Sequence, residues 1–243
     1  MKTKKKIGIL GSTGSIGKNT VNIIINNKTD FDVIFLSTNN NINKLYKQSI
    51  KLRPKAVIIF DKNKYLHNKK KFIKKKIKVF NSLNELKSTI IKKKIDYVMC
   101  AISGLDGLDS TINSIDITRN IAIANKESII CAWSLIEKKL KKNKTKFIPV
   151  DSEHFSIWSL IQNESINSVE KIIITASGGP FLNYETKKLN KVKPKDAIKH
   201  PNWRMGKKIS IDSATLMNKV FEIIEAQRIF NINIKKFEIL IHP

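Results

Sequence analysis

Lys6-Ile7-Gly8-Ile9-Leu10-Gly11-Ser12-Thr13-Gly14-Ser15-Ile16-Gly17 is the stretch on which the fold turns. A short apolar run ends in glycines at every third position. An amphipathic pattern follows, with Ile16, Val21, Ile24 and Ile25 on its apolar side. A buried strand, a glycine turn and a helix in that order open a dinucleotide-binding βαβ unit. Gly11 permits the tight turn, Gly14 lets a pyrophosphate approach the backbone, and Gly17 lets the helix pack on the sheet. The helix N-terminus adds free N–H groups and the positive end of its dipole. The spacing is G-x-x-G-x-x-G rather than G-x-G-x-x-G, so the strand and helix on either side carry the specificity.

Outward from that turn, strands are predicted at 31–36, 56–60, 79–80, 97–102, 121–124 and 147–150. Helices are predicted at 42–52, 62–76, 83–93, 108–117 and 127–142. Such alternation implies an α/β fold, a Rossmann-type parallel sheet with helices on both faces, over residues 1–150. After Asp151 the pattern changes to a helix at 153–160, a strand at 169–175, a polar lysine-bearing stretch, a helix at 213–230 and a strand at 236–241. Residues 151–243 therefore read as an α+β catalytic domain. Its last strand runs into His242-Pro243, so the domain is expected to be incomplete.

The 243 residues carry a net charge of +26 with a hydrophobic fraction of 41%, enough for one large or two modest cores. The lysines are dispersed through nearly every segment and accompany an excess of Ile and Asn. AT-rich codons explain all three together, whereas nucleic-acid binding explains only the lysines. The few aromatics are not interleaved with the basic runs, as a base-stacking surface requires. No apolar run is long enough to span a bilayer and no leader precedes the first strand, so the expectation is a cytoplasmic protein without a membrane partner. Cys100 and Cys131 lie among apolar residues and read as core thiols.

The cofactor type is read from the second strand. An NAD site places an acid at its C-terminal end to hold the ribose hydroxyls. Here Asn39, Asn40 and Asn41 follow Ser37-Thr38, while Asp30 and Asp32 lie at the opposite end. Missing negative charge plus amide donors favours a 2′-phosphate, hence NADPH. Asn125-Lys126-Glu127 follows the strand at 121–124, on the edge where open α/β sheets bind ligands. Lys126 either reaches a substrate oxygen there or the segment merely starts a helix.

Asp151 and Glu153 share one side of an extended segment and can converge on a cation. Oxygen donors suit Mg²⁺ or Mn²⁺, with Co²⁺ also possible. A third ligand is available in Glu222, three residues from Lys219 and four from Asn218 on one helical face. Lys219, Asn218 and Ser213 suit a phosphate beside it. Ile211, Leu216, Val220 and Ile223 are apolar neighbours that can pack away from that face. Ser177-Gly178-Gly179 is a further phosphate cradle, and His200 and Trp203 lie on a turn-rich segment able to close as a lid.

Taken together, residues 11–17, 124–128, 149–154, 177–181, 200–206 and 212–219 resemble 1-deoxy-D-xylulose 5-phosphate reductoisomerase, in that family's order. The resemblance implies NADPH-dependent, metal-dependent rearrangement and reduction of 1-deoxy-D-xylulose 5-phosphate to 2-C-methyl-D-erythritol 4-phosphate in non-mevalonate isoprenoid biosynthesis. It assigns Thr13, Gly14, Ser15, Ile16, Asn125, Glu127 and Gly206 to the cofactor, and Asp151, Glu153 and Glu222 to the metal. Lys126, Ser152, Ser177, His200, Ser213, Asn218 and Lys219 go to the phosphorylated sugar substrate, and Trp203 to its flap. It also implies a homodimer in the intact protein. The chain departs from the family at Asn39, usually Gly, at Asn40, often basic, and at Val220, usually Gly. Family members also continue beyond Pro243. The competing readings are a related NADP-dependent reductase for another phosphorylated substrate, and a basic nucleic-acid-binding protein on a retired Rossmann scaffold.

Overall fold

A computed structural model describes residues 3–199 and 206–242. The chain divides into two compact units, Met1–Val150 and Asp151–Pro243. In the first, strands β1 (Lys5–Leu10), β2 (Phe31–Thr38), β3 (Ala56–Ile59), β4 (Lys78–Phe80), β5 (Ile95–Cys100), β6 (Thr118–Ile123) and β7 (Lys146–Pro149) form a sheet. Between them run α1 (Ser15–Asn26), α2 (Ile42–Leu52), α3 (Lys62–Ile73), α4 (Leu83–Ile90), α5 (Leu108–Ser114) and α6 (Lys126–Asn143). The spatial order is β4-β3-β2-β1-β5-β6-β7 with every pair parallel. The chain leaves β1 toward β2 and returns on its other side as β5, which opens a crevice at the C-terminal strand ends.

Burial on both faces explains the near-continuous apolar strands. Ile9, Leu10, Phe35, Leu36, Val57 and Ile58 are fully buried, each worth roughly 1.5–3 kcal/mol over an exposed position. Gly8 is required by this packing, because a Cβ there would meet the Phe35 ring at 2.2 Å. Asn41, Asp61, Ser82 and Asn125 cap α2, α3, α4 and α6 with side-chain acceptors.

The second unit holds α7 (Ser152–Ile161), β8 (Ile172–Ala176), the single turns α8 (Thr186–Leu189) and α9 (Pro194–Ala197), then α10 (Lys207–Ala214), α11 (Met217–Phe230) and β9 (Phe237–Ile241). β8 and β9 pair in parallel, over a core of Ile157, Ile174, Ala226, Phe230, Ile232 and Phe237.

Several expectations need correction. The helix expected at 213–230 is two, broken where Leu216 takes a left-handed conformation (φ 59°), a break that apolar periodicity does not encode. The strand expected at 169–175 starts at Ile172, after a 3₁₀ turn at Ile166–Ser168. The helices expected at 62–76 and 83–93 end at Ile73 and Ile90. Ile16 is exposed, not on the buried side of α1, which buries Gly17, Val21 and Ile24. Cys131 is exposed on α6; only Cys100 is a core thiol, and burial pushes it up to about 12. Ile211 and Val220 also face outward.

Candidate active site

The glycine turn is held by short polar contacts that leave its outer face open. Gly11 has a positive φ of 72°, and a Cβ on it would meet the Ala101 carbonyl oxygen at 2.5 Å. At Gly17 a Cβ would meet the Gly11 oxygen at 2.2 Å. These two glycines are therefore fixed by the protein's own backbone. Gly14 differs: its nearest neighbour would lie at 3.4 Å, an ordinary contact, and the residue is exposed. The turn is tied to β2 by Ser37, whose Oγ accepts from Gly11 N at 2.8 Å. Ser12 Oγ donates to Gln48 Oε1 at 2.8 Å, and Gln48 Nε2 donates to the Ser12 carbonyl at 2.8 Å. The Thr13 and Thr38 hydroxyls are hydrogen-bonded at 2.8 Å. Thr13, Gly14, Ser15 and Ile16 are left partly or fully exposed above this anchored base, so the backbone there can take a phosphate.

Asn39, Asn40 and Asn41 follow β2 with no acid among them. Asn41 caps α2, accepting from Lys44 N at 3.2 Å. At the β6 edge, Asn125 is spent on the protein. Its Nδ2 donates to the carbonyls of Ile102 and Gly104, both at 2.7 Å, and its Oδ1 accepts from Ser128 N at 2.9 Å. No side-chain donor remains for a ligand, so a cofactor contact at this position has to come from the backbone. Lys126 and Glu127 form the first turn of α6 and are half-buried.

The carboxylates expected to gather do so within the second unit. Asp151 caps α7 and Glu153 lies in its first turn, while Glu222 stands on α11. One carboxylate oxygen from each lies within 4.8 Å of the others. Lys219 Nζ sits between two of them, 2.5 Å from Glu153 Oε1 and 2.6 Å from Glu222 Oε2, and Asn218 Nδ2 donates to Glu222 Oε1. Ser152 Oγ donates to Glu153 Oε2 at 2.6 Å. The break at Leu216 starts α11 afresh and turns Lys219 and Glu222 inward, leaving Glu222 1% exposed.

The electrostatics follow from that crowding. Burial pushes the Glu222 carboxyl up to about 7; the Lys219 ammonium opposes this, and the charges of Glu153 and Asp151 reinforce it. Burial also works against ionisation of Glu153, but hydrogen bonding with Asp151, Lys219 and Ser152, with the charge of Lys219, brings it down to about 2. Burial works to lower Lys219, and the two glutamates raise it above its ordinary value. The raised Glu222 marks a crowding of negative charge, and with all three carboxylates ionised against one ammonium the formal charge is −2, which a hard divalent cation would neutralise.

Asp151, Ser152, Glu153, Ser177, Ser213, Asn218, Lys219 and Glu222 all line one cavity of about 500 Å³. Gly178 and Gly179 have φ of 76° and 70°. A Cβ on Gly179 would meet the Ser213 carbonyl oxygen at 2.9 Å, so glycine there lets the Ser177 turn approach α10. Asn218 Oδ1 is buried without a protein partner and can accept from a ligand hydroxyl. Gly206 caps α10 and is exposed. His200 and Trp203 lie outside the described residues.

Three histidine and glutamate side chains escaped the sequence reading. His242, after β9, lines the cavity. His154 is buried behind the carboxylates, and its Nε2 meets the Glu222 carbonyl at 2.9 Å. A carbonyl only accepts, so this nitrogen carries a proton and donates. The other nitrogen, Nδ1, then faces Asp151 Oδ1 at 3.6 Å and Glu225 Oε2 at 3.8 Å. The available signal was spacing alone: His154 three residues after Asp151, and Glu225 three after Glu222.

Comparison with known proteins gives a consistent result. Residues 7–133 match the family model 1-deoxy-D-xylulose 5-phosphate reductoisomerase, and residues 147–230 match the C-terminal domain model of the same enzyme. The chain is 58% identical over 242 residues to 1-deoxy-D-xylulose 5-phosphate reductoisomerase of Pelagibacter ubique, covering 98% of this chain and 62% of the relative. The enzyme of Caldanaerobacter subterraneus is 42% identical over 239 residues, with 98% and 62% covered. Among solved structures, the Zymomonas mobilis reductoisomerase in complex with NADPH superposes with a TM-score of 0.89 at 36% identity, over 99% of this chain and 62% of that one. A reductoisomerase bound to NADPH, fosmidomycin and magnesium gives 0.87 at 32%, over 98% and 61%. The chain thus spans 62% of the length of the curated relatives it matches.

Proposed function

The chain belongs to the 1-deoxy-D-xylulose 5-phosphate reductoisomerase family, and on that premise we propose that it serves the NADPH- and metal-dependent conversion of 1-deoxy-D-xylulose 5-phosphate to 2-C-methyl-D-erythritol 4-phosphate. The observation that carries the reading is that eight of the expected site residues, from four separate segments, line one cavity. The first unit is the cofactor domain and the second the metal and substrate domain. Asp151, Glu153 and Glu222 would hold Mg²⁺ or Mn²⁺, with Co²⁺ a further candidate. A bound ion would supply Lewis-acid polarisation, and bound NADPH would supply the hydride for the reduction.

The chain's own residues do the rest. Thr13, Gly14, Ser15 and Ile16 present backbone to the pyrophosphate, with Asn39, Asn40, Asn41, Glu127 and Gly206 as further cofactor contacts and Asn125 contributing through its backbone. Ser177, Ser213, Asn218 and Lys219 bind the phosphate, whose remote attachment converts binding energy into positioning of the reacting carbons. Ser152 and Lys126 orient substrate oxygens, and His200 and Trp203 belong to the covering segment. His154 holds the Glu222 main chain and faces Asp151, so it fixes two ligands at once. A homodimer is the expected assembly. No observation favours the nucleic-acid alternative, since the lysines project from α3, α6, α8 and α9 alike.

The test is NADPH oxidation, followed by nicotinamide absorbance, with 1-deoxy-D-xylulose 5-phosphate and Mn²⁺, on this chain and on a version extended by the C-terminal segment of a relative. Consumption with formation of the erythritol phosphate in either form is the expected result. Silence in both overturns the proposed function.

A further inference from the structure

The loop after β2 poses a problem that the fold answers from elsewhere. A phosphate on the adenosine ribose carries close to two negative charges, and neutral amides alone discriminate poorly between it and a hydroxyl. Asn39, Asn40 and Asn41 offer only amides. Lys64, in the first turn of α3, reaches back to this loop and donates to the Asn40 carbonyl at 3.3 Å. An ammonium has three donors, so one bond to a carbonyl leaves two for a ligand. Lys64 shares an open groove with Asn40, Asn41, Ile42, Asn43 and Asn68.

We propose that Lys64, delivered from α3, supplies the cationic contact by which this chain selects the 2′-phosphate of NADPH over the 2′-hydroxyl of NADH. The assignment rests on the cofactor reading above and deepens it. Among the described residues no carboxylate lies within ion-pair distance of the Lys64 ammonium. Asp61 Oδ1 accepts from the Lys64 main-chain N at 2.8 Å as the cap of α3, which commits that carboxylate to the helix end. Additional positive charge gathers at the adjacent helix starts. The Lys18 ammonium, from α1, stands against that of Lys44 in the first turn of α2 and, with some burial, lowers the Lys44 pKa.

The test is titration of the full chain with NADPH and with NADH, followed by nicotinamide fluorescence, for the native protein, Lys64→Gln and Lys64→Arg. Loss of one charge-assisted hydrogen bond predicts roughly tenfold or weaker NADPH binding in K64Q. NADH binding stays within about twofold, K64R recovers most of the NADPH affinity, and the native preference for NADPH shrinks as salt rises. NADPH bound by K64Q as tightly as by the native chain overturns the assignment of Lys64 while leaving the cofactor reading intact. So does an equal loss for both nucleotides. A native chain that binds neither nucleotide overturns the cofactor reading, and Lys64 with it.

Discussion

Helices α6 and α11 are built on opposite plans. α6 buries Ile129, Trp133, Ile136 and Leu140 and turns Lys138, Lys141 and Lys142 to water, as an amphipathic helix on a sheet should. α11 buries Lys219, Glu222 and Glu225 along its N-terminal part and exposes Met217 and Val220. Ala226 and Phe230, further along, join an apolar core, with Ile223 and Ile229 packed against it. Buried charges add little to stability even when paired. The inverted part of α11 is thus a place where the fold forgoes packing to hold ligands, and the rest of the molecule carries the stability.

The largest effect that sharpens this contrast is expected at Glu222. Replacing it with Gln removes one of three oxygen donors and should weaken Mn²⁺ binding by more than the ~10–100-fold typical of supporting groups. The melting temperature of the metal-free chain should not fall, because repulsion from Glu153 and Asp151 leaves with the charge. Calorimetric Mn²⁺ titration and a thermal melt read the two quantities. A protein that melts much earlier yet keeps its metal would put Glu222 among the structural residues and erase the contrast.

The glycine turn offers the next test, because its glycines divide by cause. At Gly17 an added methyl meets main-chain atoms that cannot yield, so Gly17→Ala should cost about 1–3 kcal/mol in urea denaturation. Gly14→Ala has room and should leave stability within ~0.5 kcal/mol, while NADPH affinity drops. If both variants lose stability equally, Gly14 is not held open for a ligand.

The same division explains what the sequence made legible. The sheet could be read because strand burial writes itself as apolar runs and the turn between β1 and α1 demands glycines. The carboxylates at 151, 153 and 222 could be chosen as oxygen donors for a hard cation, but Asp151 and Glu153 were paired as alternate residues of an extended segment, whereas they lie at the start of α7. The break at Leu216 could not be read, since a left-handed leucine has no compositional mark and the apolar pattern runs through it. Gly8 passed unremarked because its reason, the Phe35 ring, lies on a neighbouring strand. His154 and Glu225 were missed for the same reason: their meaning is a contact between α7 and α11. The resemblance assigned Asn125 to the cofactor, yet three main-chain partners consume its side chain.

A smaller effect separates ordinary electrostatics from those of α11. Asp116 takes ion pairs from Lys87 at 3.0 Å and Lys139 at 3.2 Å. Burial works to raise its pKa, but hydrogen bonds and charge from the two lysines bring it below the ordinary value. A carboxylate depressed in the folded state contributes stability above its unfolded pKa of roughly 3.9 and loses it as pH falls through the folded value. Asp116→Asn should therefore cost about 1 kcal/mol at neutral pH and nothing once the native group is protonated. Urea midpoints measured from neutrality down into that acid window check the convergence. Parallel curves would mean that the two lysines do not stabilise the charge.

Val220 carries the smallest expected effect and the most direct question about α11. This chain places a branched side chain next to Lys219, where the family resemblance leads one to expect glycine and where it would add bulk at the phosphate. The helix resolves the matter by rotation. Lys219 is drawn inward by Glu153 and Glu222, and the next residue is carried around to solvent, where Val220 is 42% exposed and lines no part of the cavity. Val220→Gly should then cost only ~0.5 kcal/mol, the difference in helix propensity. Calorimetric affinity for 1-deoxy-D-xylulose 5-phosphate should stay within about twofold, a change of under 0.5 kcal/mol. A tenfold gain in affinity would mean that valine obstructs the phosphate after all, and that the outward face of α11 is part of the site.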